Sequence, residues 1–411
     1  MMDTISFAWK NLWHHRRRTL ITLLGISMAL MLTQTLHNLA IGSYSQIIES
    51  GVRSGSGHFA IYHHGYRQDH DEKMTFAVGQ LPHTLATSPH IEFALPRIHI
   101  SGLAQSSHDS RAVAIMGINM VTEAVVNPLL RQLPQDQWLR AEQPRDALLG
   151  RRLLEELQIR LGQKLVLTVQ DRDGNLVSEL LRVRGIIDSR IKQIDSTLVM
   201  IGREKAAEIT GLHGQIHELA IVLHNAGVMP QLHDEIGQRV SKNDNIELVA
   251  WQVSMPNLAD AIRLDYASQN VMLVIILLII TIGIVNTLLM SVMERIHEFG
   301  IMLAMGATPL RLWQLILCES AILGAAAATF GTVLGSLSTW YLVEVGIDLR
   351  DFISENMEFG GVVFEPIIRA TWTPMWMLES ALYIVLLSIV AALYPAFKAA
   401  RLSPVDAMRH S

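Results

Sequence analysis

The chain has 411 residues, half of them hydrophobic and only 17% charged, with a mean hydropathy of +0.29. It is too apolar for an ordinary soluble enzyme and too polar to lie wholly in a bilayer, so membrane segments and a water-exposed domain are both expected. A net charge of −5 with no basic stripe and interleaved aromatics excludes a nucleic-acid surface, and a single cysteine, Cys318, excludes a disulfide framework.

In residues 1–18, Ile5, Ala8, Trp9, Leu12 and Trp13 recur at helical spacing, with Lys10 and Arg16 to Arg18 on or beyond the other face. This pattern predicts an amphipathic helix in the inner headgroup layer, contacting membrane lipid; the other reading is the start of the first spanning helix. Residues 19–43 are long and apolar enough to cross about 30 Å of hydrocarbon. The preceding "HHRRR" fits a signal peptide, but the apolar run is long for one and no A-x-A site follows. An uncleaved anchor is the better reading.

Residues 44–267 alternate strand and helix patterns. "FAIYH" has Phe59, Ile61 and His63 alternating with Ala60 and Tyr62, as in a strand. "LLGRRLLEELQI" reads as a helix, and "KLVLTVQDRDGNLVSELLRVRGII" as two strands around a tight turn at Asp173 to Asn175. "STLVMIG" reads as a strand, "REKAAEITGL" as a helix and "HELAIVLH" as a strand. A mixed α/β domain of two lobes, inserted between the first and second spans, is expected. His58, His63, His64 and His70 lie close in sequence, but no cysteine or carboxylate spacing supports a metal site, so none is expected.

Residues 257–268 are helix-compatible and predict a stalk continuous with the second span, 268–293, whose core "VMLVIILLIITIGIVNTLLMSVM" carries no charge. A loop at 294–311 leads to the third span, 312–343; a short loop at 344–377 leads to the fourth, 378–395, and a tail at 396–411. The fold class is therefore a membrane α-helical protein of four transmembrane helices plus the inserted α/β domain.

Basic residues near the span ends fix the orientation. Lys10 and Arg16 to Arg18, then Arg295 and Arg311, then Lys398, Arg401 and Arg409 place both termini and the 294–311 loop in the cytoplasm. The α/β domain is then extracytoplasmic.

Gln34, His37, Asn286, Glu319 and Glu379 are polar residues within or beside the spans, read as interhelical hydrogen bonds or interface placement. The third span carries Gly324, Ala328, Gly331 and Gly335 at small-xxx-small spacing. This pattern fits either a dimer seam or tight packing within one chain.

There is no G-x-x-x-x-G-K-[ST], H-E-x-x-H, C-x-x-C or G-x-S-x-G, so catalytic residues, cofactors and an enzymatic role are not expected. In the 294–311 loop, Ile301, Met302, Leu303 and Met305 form an apolar cluster between Gly300 and Gly306, suited to a short helix shown to something in the cytoplasm.

"ERIHEFGIMLAMGATPLRLWQLILCESAILG" resembles the E-R-x-x-E-x-G-x-x-x-A-x-G-A loop of the ABC permease family that includes MacB, the lipoprotein-releasing Lol permeases and FtsX. The matching residues are Glu294, Arg295, Glu298, Gly300, Ala304, Gly306 and Ala307. "YPAFKAARLSPVDAMR" is similar to the family ending through Pro395, Ala396, Ala399, Ala400, Pro404, Ala407 and Arg409, and "WKNLWHHRRRTLITLLGI" resembles its amino-terminal entry.

The resemblance implies a type VII, mechanotransmission permease in the inner membrane. It would work as a homo- or heterodimer with a separate ABC ATPase that binds the ATP, and the seven loop residues would form the ATPase-coupling helix. The implied function is release of lipoprotein or lipid-linked cargo. Tripartite-type efflux of a peptide, toxin or drug, and FtsX-like signalling to a cell-wall hydrolase, are the alternatives. A periplasmic adaptor or lipoprotein carrier is a further implied partner, although "QDRDGN" is too tight a turn for the protruding hook of the carrier-recruiting permease.

Overall fold

The computed structural model describes residues 16–80, 88–189, 191–240, 245–349, 358–359, 362–363 and 367–400. The expected amphipathic helix, up to residue 15, and the tail residues Pro404, Ala407 and Arg409 lie outside them. The chain divides into two compact units. One holds Met1–Ser45, Leu264–Leu349 and Ile367–Ser411; the other holds Gln46–Arg263 and Arg350–Pro366.

Among the described residues, four helices are long and apolar enough to cross a membrane. They are α1 (Arg16–Ser54), α7 (Pro256–Glu294), α9 (Pro309–Glu344) and α10 (Pro374–Ala400), with the short α8 (Ile296–Ala304) between α7 and α9. Each runs past the bounds read from its apolar run, because apolarity marks the hydrocarbon thickness whereas the helix continues until its backbone finds another partner. Residues 257–268 are indeed the first turns of α7.

Within the helical unit, α1, α9 and α10 are joined by a seam of side-chain hydrogen bonds. Ser27 Oγ donates to the Ala327 carbonyl at 3.0 Å. Gln34 Nε2 donates to Thr332 Oγ1, the Met377 carbonyl and Ser380 Oγ at 3.2, 3.0 and 3.0 Å. Asn38 Nδ2 reaches Thr339 Oγ1 at 3.0 Å. In hydrocarbon these groups have no water to turn to, so such bonds hold helices together.

The glycine stripe of α9 is what lets the helices come this close. A Cβ on Gly324 would lie 2.7 Å from Ser388 Oγ on α10, and one on Gly331 would lie 2.9 Å from the Ser27 carbonyl on α1. At Gly335 a Cβ would meet Gln34 Oε1 at 2.5 Å, and Ala328 is buried in the same core. Of the two readings of this stripe, packing within one chain accounts for all four residues.

Among the described residues of the second unit, nine strands form its main sheet: β1 (Phe59–His63), β2 (Ile91–Gln105), β3 (Ser110–Ile118), β4 (Asp146–Gly150), β5 (Lys164–Gln170), β6 (Leu176–Ile187), β7 (Leu198–Gly202), β8 (Glu218–Leu223) and β9 (Ile246–Ala250). Their order is β9-β1-β8-β2-β3-β7-β4-β6-β5, and an additional pairing of β5 with β2 closes the last six into a ring. Strand β2 serves both parts of the sheet. Its first half pairs with β8 from Arg97 back to Ile91, and its second half pairs with β3 and β5 from Ile98 to Gln105. The two lobes are thus the closed ring and the antiparallel arm β9-β1-β8.

One core runs through both lobes, from Phe59 and Ile61 of β1 to Leu165 and Leu167 of β5. The other face of β1, Ala60 and Tyr62, packs with Tyr66 and Val249, so this strand is covered on both sides rather than alternating.

Three local expectations need correction. Leu148 to Gly150 belong to β4, and only Arg151–Glu156 form a helix, α3, because a fully buried strand of leucines has no period that separates it from a helix. The turn between β5 and β6 spans residues 171–175 rather than only Asp173 to Asn175, with the Asp171 carboxylate accepting from the Asp173 and Asn175 amides. Ser196 and Thr197 end a helix, α4 (Lys192–Thr197), before β7 begins. The sheet unit also has α2 (Met120–Val126), α5 (Arg203–Thr210) and α6 (Met229–Val240).

Candidate functional site

The 294–311 segment is built around α8. The α7 helix ends at Glu294, and Arg295 leaves helical geometry with φ −106° and ψ 12°. The next helix starts with acidic Glu298 in its first turn, where the positive end of the helix dipole favours a carboxylate.

It ends in a Schellman arrangement: the Gly306 amide donates to the Leu303 carbonyl at 3.1 Å, and the Ala307 amide to the Met302 carbonyl at 3.0 Å. Gly306 has φ +92°, which a side chain tolerates poorly. Pro309 then occupies the first turn of α9, where its missing N–H costs nothing.

The α8 helix is amphipathic. Its inner face, Ile296, Phe299 and Gly300, is buried. Phe299 joins a small core with Val292 of α7, Leu312 and Ile316 of α9, and Ala396 and Ala399 of α10. The two alanines explain the residue types of the "YPAFKAA" stretch, since larger side chains there would push α10 off Phe299. The outer face exposes His297, Glu298, Ile301, Ala304 and Met305.

Of the seven candidate coupling residues, the structure leaves Glu294, Glu298, Ala304 and Gly306 exposed and Ala307 half-buried. Arg295 and Gly300 are buried, behind the exposed face. The apolar cluster also divides. Ile301 and Met305 face outward, whereas Met302 packs against the Phe299 core.

Arg295 is the electrostatic centre of the segment. Its Nε donates to Glu298 Oε2 at 3.0 Å, and its Nη1 to Glu319 Oε2 on α9 at 3.1 Å. The guanidinium carbon lies 4.9 Å from the Phe299 ring centroid, a cation–π distance. Glu319 thus has a specific partner inside the protein.

At the other end of the helical unit, Tyr44 Oη donates to Asp265 Oδ2, and Gln269 Nε2 donates to Tyr44 Oη at 2.5 Å. The remaining polar candidates are dispersed: Asn286 is exposed, and His37 stacks on Trp376 with centroids 3.6 Å apart.

His58 is buried and its Nδ1 accepts from the Leu223 amide at 3.2 Å, while His64 is exposed. Among the described residues no group of three or more His, Cys, Asp or Glu is arranged to hold a metal ion.

Sequence reasoning missed the charged network of the sheet unit. Arg97, Glu123 and Glu218 are all buried, and His99 Nε2 lies 2.5 Å from Glu218 Oε2. Burial alone raises the Glu218 carboxyl, but His99 and Arg97 outweigh it and hold the group down to about 2.

The chain matches known proteins in both regions. Residues 270–404 match the family model described as FtsX-like permease C-terminal. The chain is 22% identical over 287 residues to the lipoprotein-releasing system transmembrane protein LolC of Neisseria meningitidis, covering 64% of this chain and 65% of that one. With the LolC of Xylella fastidiosa the identity is 21% over 405 residues, covering 95% of this chain and 94% of the relative. With the pyoverdine export ATP-binding/permease protein PvdT of Pseudomonas entomophila it is 24% over 430 residues, covering 99% of this chain but only 60% of the longer relative.

Proposed function

Because this chain is an ABC transporter permease of the FtsX-like type, related to the LolC permeases, we propose that it couples ATP hydrolysis by a separate ATPase subunit to movement of its sheet unit. The cargo in this reading is a lipoprotein or another lipid-linked molecule released from the inner membrane. Both termini and α8 lie in the cytoplasm, the sheet unit lies in the periplasm, and the working form is a dimer of permeases. ATP binds the partner ATPase.

The observation that carries this reading is the outer face of α8. It presents one carboxylate, Glu298, beside two apolar side chains, Ile301 and Met305, on a helix braced from behind by Phe299 against α7, α9 and α10. A braced helix transmits a push, whereas a loose loop would absorb it. An ATPase surface with an apolar cleft and a basic rim is the complementary partner. Glu294, Ala304, Gly306 and Ala307 complete the segment, and Arg295 and Gly300 support it from inside.

Cargo of the lipoprotein class rests on the LolC relative of nearly equal length. The second reading, export of a small molecule or peptide with an adaptor protein, rests on the match of 99% of this chain to a pyoverdine export protein.

Purification of the native complex in mild detergent, with mass spectrometry of proteins and lipids, tests both. An ATPase with bound acylated protein is expected. An ATPase with a periplasmic adaptor would favour export, and the absence of any ATPase would overturn the permease-coupling reading.

A further inference from the structure

We propose that Arg295 is a positioning relay, which shares its guanidinium between the exposed face of α8 and the interior of α9 and is redistributed when a basic side chain of the partner ATPase pairs with Glu298. The proposal rests on the docking role of α8 and adds the partner's chemistry and the internal receiver of the signal.

The asymmetry of the two carboxylates carries the argument. The Glu298 side chain is 58% exposed, the Glu319 side chain 10% and the Arg295 side chain 5%. Glu298 can therefore be approached by a partner, whereas Glu319 is enclosed beside the buried guanidinium. One cation serves two anions through two different nitrogens, Nε to Glu298 and Nη1 to Glu319. A partner cation at Glu298 weakens the hold of the first anion on Arg295 and leaves Glu319 to dominate. The planar fork of arginine makes such two-way sharing specific, since a lysine ammonium is a single point charge.

The position in the chain turns this local exchange into a lever. Arg295 is the residue at which α7 ends and α8 begins, its amide donates to the Val292 carbonyl at 3.2 Å, and its carbonyl accepts from the Phe299 amide at 3.0 Å. A shift of its side chain toward α9 therefore acts on the junction of α7 and α8 as well as on α9. A residue that served only to bury the segment would need neither an exposed carboxylate nor a second helix.

The test uses the full chain with its ATPase in lipid nanodiscs, comparing Arg295→Lys, Glu319→Gln, Glu298→Gln and the double variant Glu298→Gln/Glu319→Gln. Two quantities are read: ATPase retained on the permease, and the ATPase turnover that the permease stimulates.

Arg295→Lys and Glu319→Gln are expected to keep retention within about twofold and to lower stimulated turnover by about fivefold or more, the scale of coupling between sites. The effects of Glu298→Gln and Glu319→Gln are expected to be non-multiplicative, because both act through one guanidinium. A normal turnover in Arg295→Lys, or independent effects of the two glutamates, would overturn the relay. Parallel loss of retention and turnover in Arg295→Lys would assign Arg295 a purely structural role. Retention of no ATPase by the unaltered chain would instead overturn the docking reading.

Discussion

Arg97 and Glu123 form a two-point ion pair inside the sheet unit, with Nε to Oε1 at 2.6 Å, Nη2 to Oε2 at 3.0 Å and both side chains only 2% exposed. Arg97 Nη1 also donates to the Gly55 carbonyl at 2.5 Å, one residue beyond the end of α1, and lies 3.8 Å from Glu218. One guanidinium therefore ties β2 to α2, to β8 and to the chain leaving α1. Arg97→Met leaves the buried Glu123 carboxylate without its cation and Glu218 with His99 alone, and a loss of about 3–5 kcal/mol is expected. Urea unfolding of the full chain in detergent, followed by pulsed proteolysis within residues 46–263, checks this. The paired change Arg97→Met/Glu123→Leu should recover much of the loss, because it removes an anion together with the cation.

Acid should weaken the same unit in two steps. Burial pushes the His217 imidazole down to about 4, and its neutral form is fully used: Nδ1 accepts from the His99 amide at 3.2 Å and Nε2 donates to the Glu72 carbonyl at 2.9 Å. Protonation would turn Nδ1 toward a backbone N–H as a second donor. The folded state favours the neutral ring, so this contribution is complete above the ordinary histidine range and is lost as pH falls from about 6.5 toward 4. Glu218, held at about 2 against an ordinary 4.5, contributes stability that is lost as pH falls further, from 4.5 toward 2. Unfolding midpoints at pH 7, 5.5 and 4.5 should fall steadily, and the His217→Asn variant should show a shallower decline over that interval. An unchanged slope in the variant would contradict the buried neutral ring.

What the sequence made legible follows from how local each signal is. The spans could be read because apolarity over twenty residues needs no partner to identify it, and the α8 segment because the apolar cluster between Gly300 and Gly306 is a local pattern. The ion pairs could not be read. Arg295 and Glu319 are 24 residues apart and Arg97 and Glu123 are 26, and a charged residue by itself gives no sign of being buried. The hairpin of β2 and β3 escaped notice because no Asn-Gly or Asp-Gly pair marks its turn. For the seam between α1 and α9 a usable signal was present: Ser27, Gln34 and Asn38 share one face of α1, and the glycine stripe of α9 needs a partner face.

Gly331 offers a test of that seam. The nearest atoms to an added Cβ are the Ser27 backbone carbonyl at 2.9 Å and Leu30 Cβ at 3.0 Å, neither of which is the free end of a flexible side chain. Gly331→Val should therefore separate α9 from α1, lengthen the bond from Ser27 to Ala327 and cost about 1–3 kcal/mol, the usual range for overpacking. Gly25→Ala, on α1 with open space around it, should cost nothing measurable and serves as the control. Thermal aggregation of the two purified variants in the same detergent separates them, and an equal midpoint for both would contradict the close approach.

Gly306 tests whether the shape of α8, apart from its charges, matters for coupling. Its φ of +92° lets the chain reverse at the end of α8 while the Leu303 and Met302 carbonyls are still satisfied. Gly306→Ala has no steric obstacle, since nothing lies within 4 Å of the added Cβ, so its cost of about 1 kcal/mol is confined to the backbone conformation. Gly306→Pro is harsher, because proline fixes φ near −65° and removes the amide that donates to Leu303. The alanine variant should lower stimulation of the partner ATPase slightly and the proline variant severely. Membrane insertion should be preserved in both, because all four long helices lie outside the altered turn. Charge reversal at Glu298 should lower stimulation with the turn left intact, and that loss should grow smaller as ionic strength rises and screens the exposed pair. Full stimulation in all three variants would place the ATPase contact elsewhere on the chain.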